Sequence, residues 1–163
     1  MSTSPTTLPT DTLQRVIDGT AALNAFIGLG PDQLQAIAVI GYNSYEQGKI
    51  DEAEEIFQGL IALDGTKYFG YAGLGAIELS RGNVDAAHGH LSAALQRHPD
   101  EPTVLSNLGE VLLRQGKAEE AATAFQKALA LDPDGRDPGA NRARAILQGM
   151  NVVLQEMSRV AGA

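Results

Sequence analysis

Apolar residues recur along this chain at helical spacing, and the same pattern returns at a fixed interval. Three segments share one frame of polar turn, small residue and apolar face: SYEQGKIDEAEEIF at 44–57, ELSRGNVDAAHGHL at 78–91 and LLRQGKAEEAATAF at 112–125. Each segment starts 34 residues after the one before it. Apolar positions three and four residues apart on both sides of a glycine predict two amphipathic helices joined by a short turn. The chain is therefore expected to be all-α.

Small residues occupy the same columns of all three copies. These columns are Gly41, Gly75 and Gly109; Gly48, Gly82 and Gly116; and Ala53, Ala87 and Ala121. A small residue at a helix crossing lets two backbones reach the roughly 8–10 Å separation of packed helices, and we expect Gly41 to contact Ala53 in this way. Gly48 and its equivalents follow the first helix of each copy, where a left-handed backbone suits a residue without Cβ.

Acidic residues and prolines complete the frame. Asp51 and Asp85 open the second helices of the first two copies, and Pro99 and Pro133 follow the second helices of the last two. Gly65 stands where the first copy would have proline, so we expect a looser connection there. A 34-residue period with these small, aromatic and proline positions resembles the tetratricopeptide repeat. The resemblance implies an α-solenoid of three repeats, at 34–67, 68–101 and 102–135.

Both ends of such a stack need a cover, and the flanking sequence offers one at each end. A capping helix predicted over 139–160 carries one apolar stripe: Ala143, Ile146, Leu147, Met150, Val153, Leu154, Met157 and Val160. A helix predicted over 11–27 has an apolar face broader than one neighbour needs, so it either caps the first repeat or mediates self-association. Residues 1–9 are expected to be disordered, and 10–163 to form a single tetratricopeptide-repeat domain.

Composition and charge narrow the range of partners. The 163 residues are 44% apolar and include no cysteine, which excludes disulfides and thiolate metal sites. Residues up to 135 hold 18 acidic and 8 basic side chains, whereas those after 135 hold 2 and 4. An acidic body disfavours nucleic acid as a ligand. The sequence shows neither a signal peptide nor a stretch apolar enough for membrane insertion, and therefore predicts a cytoplasmic protein.

No motif in the sequence predicts catalysis, a metal site or a cofactor. His88 and His90 are two residues apart on one helix, about 200° around its axis, and cannot share an ion. The stretch DPDGRD at 132–137 lacks the glycine and glutamate that a calcium loop needs at its sixth and twelfth positions. GYAGLGA at 70–76 is not followed by the Lys-Ser or Lys-Thr of a phosphate loop. We expect a protein that is not an enzyme and that binds another polypeptide.

Recognition is expected on the concave face of the stack, which the first helices line. The second, fifth, ninth and twelfth repeat positions point into that groove. The predicted lining is Gln35, Ala38, Tyr42 and Tyr45, then Phe69, Ala72, Ala76 and Leu79, then Thr103, Ser106, Glu110 and Leu113. Small and aromatic side chains favour an extended apolar peptide as the ligand. Alternatively, Tyr45 and Leu79 complete the packing between helices.

A narrower resemblance lies in two stretches, GTAALNAFIGLGPDQLQAIAVIGYNSYEQGKIDEAEEIFQGLIALD and YFGYAGLGAIELSRGNVDAA. Together with the order of predicted helices, they resemble the class II chaperones of type III secretion, over about residues 18–135. The resemblance implies a chaperone that holds a Pro/Leu-containing segment of a translocator in its groove before export, and that dimerises through the N-terminal helix. Ala38 stands where that family usually has an aromatic residue. The alternative is a general adaptor in an envelope or pilus assembly, binding through its convex face or its C-terminal helix.

Overall fold

The computed structural model describes residues 27–161, and within that range the chain contains helices and their connections without a strand. The all-α fold expected from the repeat is confirmed. The predicted segments at 1–9 and most of 11–27 lie outside the described residues. Seven helices lie wholly within the described range: α1 Pro31–Glu46, α2 Ile50–Leu63, α3 Phe69–Arg81, α4 Val84–Arg97, α5 Pro102–Arg114, α6 Ala118–Leu131 and α7 Pro138–Ala161.

The chain divides into two compact units between Gly70 and Tyr71. The first unit contains α1 and α2. The second contains α3 from Tyr71 onward and α4 to α7. The grouping of 10–163 into a single domain stays a prediction.

A single glycine with left-handed backbone forms the turn inside each of the three helix pairs. Gly48, Gly82 and Gly116 have φ angles of 76°, 80° and 78°, as their column predicted. Each glycine N–H donates to the carbonyl three residues before it, and the next N–H reaches five residues back, as in Lys49 N to Ser44 O at 2.9 Å. These bonds satisfy carbonyls that the helix end would leave open, and a Cβ at these positions would be strained.

Carboxylates hold the connections that follow the second helices of the first and third copies. Asp64, just after α2, accepts a hydrogen bond from the Thr66 N–H at 3.0 Å. Asp132 occupies the same position after α6 and accepts from the N–H groups of Arg136 and Asp137 at 3.0 and 2.9 Å. Both aspartates are almost fully buried. Asp64 therefore holds the Gly65 connection by hydrogen bonds, and the looser turn expected from the missing proline stays a prediction.

Within each pair, the glycine at the eighth repeat position faces the large side chain at the twenty-fourth. A Cβ on Gly41 would lie 2.9 Å from the Phe57 ring, and one on Gly109 would lie 2.6 Å from Cδ1 of Phe125. Phe57, Leu91 and Phe125 are all fully buried. An added Cβ on Gly41 would meet Phe57 and its neighbour Ile56 first, and the contact of Gly41 with Ala53 stays a prediction. Ala53 is buried one turn earlier on α2.

Helix α7 covers the third repeat with its first half only. Ala143 is fully buried in a cluster with α5 and α6, and Ile146, Leu147 and Met150 pack partly against that cluster. The rest of the predicted stripe is exposed: Val153 58%, Leu154 58%, Met157 63% and Val160 71%. The prediction that the whole stripe caps the repeat was therefore wrong for these four residues. With 24 residues against 13 and 14, α7 is about 15 Å longer than α5 and α6, on which it packs.

The turn between α3 and α4 contains a strongly engaged carboxylate. Asn83 Nδ2 donates to Glu78 Oε2 at 2.7 Å, and Arg81 Nη1 donates to Glu78 Oε1 at 3.0 Å. The Asn83 hydrogen bond, ahead of the Arg81 contact, lowers the pKa of Glu78 below its ordinary 4.5, although partial burial acts in the opposite direction. Glu78 therefore favours the native state above about pH 4.5, and this contribution is lost as the pH falls through the native pKa.

The close approach at Gly109 predicts opposite effects for two Gly→Ala changes in the second unit. Gly109→Ala forces a methyl group onto the Phe125 ring and should lower the free energy of unfolding by about 1–3 kcal/mol. Gly89→Ala, on the exposed face of α4 with open space around it, should raise this free energy by up to about 1 kcal/mol. Urea denaturation followed by circular dichroism measures both. Equal effects of the two changes would contradict the packing described.

The carboxylate turn predicts a change in titration. In Asn83→Ala the pKa of Glu78 should rise toward its ordinary value, because the largest stabilising contact of the ionised form is lost. Side-chain carboxyl NMR over pH 2–7 would report this pKa. Stability of the variant should then depend less on pH below about pH 4.5 than stability of the unchanged protein. An unchanged Glu78 titration would show that Asn83 does not control this group.

Candidate functional site

In the first unit, α1 presents the predicted groove residues on one face. Their spacing of three, four and three residues aligns Gln35, Ala38, Tyr42 and Tyr45 along the helix. Ala38 is buried, Gln35 is exposed, and both tyrosines are half-buried. The Tyr42 ring lies edge-on to the Phe57 ring, with centroids 4.9 Å apart. Because Phe57 is fixed in the core, Tyr42 is held in a defined position beside Tyr45.

Phe69 begins α3 and belongs to the same unit. Its ring is half-buried and lies 4.4 Å from the ring of Tyr68, at an angle of 40°. Gly70, directly after it, packs against α2, where an added Cβ would come 2.6 Å from the Phe57 carbonyl oxygen. This close contact fixes the backbone that carries Phe69.

In the second unit, the predicted groove residues of α3 and α5 differ in depth. Ala72, Leu79 and Ser106 are buried, with exposed fractions of 2%, 6% and 0%. The half-buried members are Ala76, Thr103, Glu110 and Leu113. Leu79 thus completes helix packing, the alternative that its sequence position left open. A ligand-contacting role for the predicted lining as a whole stays a prediction.

Helix α7 reaches across part of the α5 face that the sequence assigned to a ligand. Arg142 Nε lies 2.7 Å from Glu110 Oε1, and Arg142 Nη2 donates to Oδ1 of the buried Asn107. Gly139 packs so tightly on Thr103 that an added Cβ would meet its Oγ1 at 2.6 Å. The chain's own C-terminal helix therefore supplies an ion-pair partner for Glu110 and covers Thr103.

The 34-residue pattern continues beyond residue 135, where the third predicted repeat ends, and it indicates this contact. Ala143 lies 34 residues after Gly109 and is fully buried. The start of α7 therefore corresponds to the first helix of a fourth repeat. The same step from Gly116 falls on Met150. Without glycine at that position the chain does not turn, and the helix continues to Ala161. Arg142 is thereby placed beside Asn107 and Glu110 of the preceding first helix.

The described residues show no arrangement suited to metal binding or membrane crossing. Between residues 27 and 161, no group of three histidine, aspartate or glutamate side chains lies close enough to hold a metal ion. In that same range no helix has the length and apolar character that a membrane span requires.

Comparison with known proteins places these features in a family. A family model described as tetratricopeptide repeat matches residues 73–136. PcrH, crystallised in complex with the chaperone binding region of PopB, is 32% identical, with a TM-score of 0.60, over 72% of this chain and 97% of PcrH. SycD, the type III secretion translocator chaperone of Yersinia enterocolitica, is 25% identical, with a TM-score of 0.63, over 79% of this chain and 98% of SycD.

A curated relative agrees with the solved structures. Low calcium response locus protein H of Yersinia pestis is 29% identical over 106 residues, which cover 65% of this chain. The match spans 63% of that protein's own length. The chain belongs to the tetratricopeptide-repeat family. Within the family, it resembles the translocator chaperones of type III secretion.

The contact between α5 and α7 predicts unequal roles for two arginines of α7. Arg142→Ala leaves the buried Asn107 oxygen without this donor, and should lower the free energy of unfolding by about 1–2 kcal/mol. Arg159→Ala removes only an exposed pair with Glu156, and should change this energy by less than about 0.5 kcal/mol. Thermal and urea denaturation of both variants would test this. Equal losses would show that Arg142 does not anchor α7.

Proposed function

We propose that this protein is a cytoplasmic chaperone that binds an extended apolar segment of a type III secretion translocator on the inner faces of its first helices. The observation that carries the proposal is the likeness to PcrH, which spans nearly all of PcrH and includes its complex with a chaperone binding region. A second PcrH complex, with the chaperone binding region of PopD, and a SycD complex with a peptide of the translocator YopD support the same assignment.

The mechanism is occlusion of an aggregation-prone segment. Tyr42 and Tyr45 combine an apolar ring with a polar hydroxyl, so they can cover apolar side chains and still contact the backbone of an extended peptide. Tyr42 is preordered by the Phe57 ring, which reduces the entropy lost on binding. A segment held in this way cannot associate with other apolar segments before it is exported.

Within the predicted lining, the half-buried side chains are the proposed contacts, except Thr103, which Gly139 covers. These are Tyr42, Tyr45 and Phe69 in the first unit and Ala76, Glu110 and Leu113 in the second. Ala38, Ala72, Leu79 and Ser106 lie beneath the surface, where they set the depth of each face. The α5 face should contribute less than α1 and α3, because Arg142 already engages Glu110.

The second candidate function is that of a general adaptor, and the distal half of α7 is the feature that favours it. An adaptor would bind its assembly partner through exposed apolar residues such as Val153 and Met157 and would not require Tyr45. Dimerisation through the N-terminal helix also remains a proposal, since that helix lies mainly outside the described residues.

Affinity purification from the native cell would identify the bound polypeptide. The proposal expects a secreted protein with long apolar segments that is soluble when coexpressed with this chain and aggregates without it. A copurifying partner that is soluble when expressed alone would contradict the chaperone role. A partner whose binding is lost in Val153→Glu but kept in Tyr45→Ala would support the adaptor.

Truncating a groove tyrosine should weaken that complex. Tyr45→Ala removes an aromatic contact and should raise the dissociation constant at least about tenfold, or about 1.4 kcal/mol. Tyr71→Ala is the matched control, because Tyr71 packs under the Arg97 guanidinium, 4.0 Å from its ring centroid, at a position outside the predicted groove. Calorimetric titration with the apolar segment measures both, after circular dichroism has confirmed folding. Equal weakening by both variants would argue against the assigned face.

A further inference from the structure

The side of α5 that meets α7 carries three polar residues, Ser106, Asn107 and Glu110. Ser106 is fully buried, Asn107 is 5% exposed, and the Glu110 side chain is 24% exposed. Glu110 lies about one turn beyond the other two, so all three share one side of the helix. Their oxygen atoms, namely Ser106 Oγ, Asn107 Oδ1 and the Glu110 carboxylate, are called the acceptor cluster below.

Arg142 of α7 occupies the acceptor cluster but satisfies it only in part. Its Nη2 donates to Asn107 Oδ1, and its Nε lies 2.7 Å from Glu110 Oε1. The Nε contact is not aligned as a hydrogen bond, so Glu110 Oε1 is buried without a donor from residues 27–161. Ser106 Oγ is buried in the same condition. Since a buried oxygen without a donor costs free energy, Arg142 is an imperfect occupant of the cluster.

The chemistry of the acceptor cluster defines a ligand that would satisfy it better. Carboxylate and amide oxygens accept hydrogen bonds and cannot donate them, so the cluster selects a cation with several donors. A guanidinium group whose planar fork faces Glu110 can give that carboxylate two parallel hydrogen bonds. Arg142 does not form this pair, because the atom that it presents to Glu110 is Nε. An arginine side chain from a bound partner is therefore the occupant that the chemistry favours.

The side chain of Arg142 can leave the acceptor cluster while α7 stays in place. It is 48% exposed, so a rotation about its side-chain bonds carries the guanidinium group into water. The backbone of α7 is held separately, because Ala143 is fully buried against α5 and α6 and Gly139 packs on Thr103. Exchange of Arg142 for an incoming arginine therefore requires a rotamer change and not the removal of α7.

The charge of the chain favours a basic group at this position. Residues up to 135 carry 18 acidic and 8 basic side chains, which gives a net charge of −10. This charge attracts a basic side chain from solvent and disfavours an acidic one. Because exchange replaces one ion pair with another, the gain in affinity is small, and the main consequence is selection among partners.

We propose that the acceptor cluster is a recognition site for an arginine side chain of the bound polypeptide, and that Arg142 occupies this site until the polypeptide arrives. The inference rests on the proposed function for the identity of that polypeptide, but the site lies within the second unit and can be tested without it. A polypeptide with an acidic residue at this point is disfavoured, since its carboxylate would face Glu110.

Two small probes test the site directly. Acetyl-arginine amide carries the guanidinium group, and acetyl-citrulline amide has nearly the same shape without the charge. NMR titration of Arg142→Ala, read at the Asn107 side-chain amide, should show millimolar binding of the arginine probe, at least about tenfold tighter than that of the citrulline probe. The unchanged protein should bind the arginine probe at least about fivefold more weakly than Arg142→Ala, because Arg142 competes for the same acceptors. Arg142→Met, which keeps most of the apolar stem, gives the same comparison if Arg142→Ala does not fold.

Two further variants separate this site from a general attraction to an acidic protein. Combining Arg142→Ala with Glu110→Gln should abolish the preference for the arginine probe. Arg159→Ala should bind that probe no better than the unchanged protein, because Arg159 pairs with Glu156 near the other end of α7. Equal binding of both probes to Arg142→Ala, equal binding of the arginine probe with and without Arg142, or a preference that survives Glu110→Gln would overturn the proposal. None of these outcomes involves Tyr45, so the proposed function is tested separately.

Discussion

The structure depends on one recurring contact, in which a helix backbone approaches the large apolar side chain of its partner helix. At the eighth position of each repeat, glycine removes the Cβ that would collide with Phe57, Leu91 or Phe125. The buried ring or leucine then fills the crossing, and the left-handed glycine after the first helix sets the return of the chain. Both requirements recur every 34 residues, which is why the pattern is visible in the sequence.

The same constraint explains how the repeats end. Helix α7 starts in the register of a further first helix and buries Ala143 as the earlier copies bury glycine. Met150 then takes the place of the turn glycine, so the expected second helix never forms and the first one continues outward. The missing glycine thus accounts for both the cap on the third repeat and the exposed apolar residues in the distal half of α7. Arg142 contacts Asn107 and Glu110 of α5 because α7 starts at the position of a further first helix.

Much of the fold could be predicted from the sequence because it follows from local periodicity. The helix pairs, the left-handed glycines and the acidic openings of the second helices all repeat, and repetition separates them from chance. The spacing predicted the crossing at Gly41 but did not reveal that the Phe57 ring lies where its Cβ would be. Four of the twelve predicted lining residues are buried, since the position of a residue on a helix gives direction and not burial. Leu79 and Ser106 show this difference. Arg142 was missed because its role depends on packing between helices distant in sequence.

The central claim is that the tyrosine-bearing face of α1 receives an extended apolar segment. Hydroxyl-radical footprinting of the protein with and without its bound segment measures this most directly, because it reports the solvent exposure of individual side chains. The account predicts protection of Tyr42 and Tyr45 in the complex, with Tyr71 unchanged. Protection confined to residues 152–160, with both tyrosines of α1 as reactive as in the unbound protein, would contradict it.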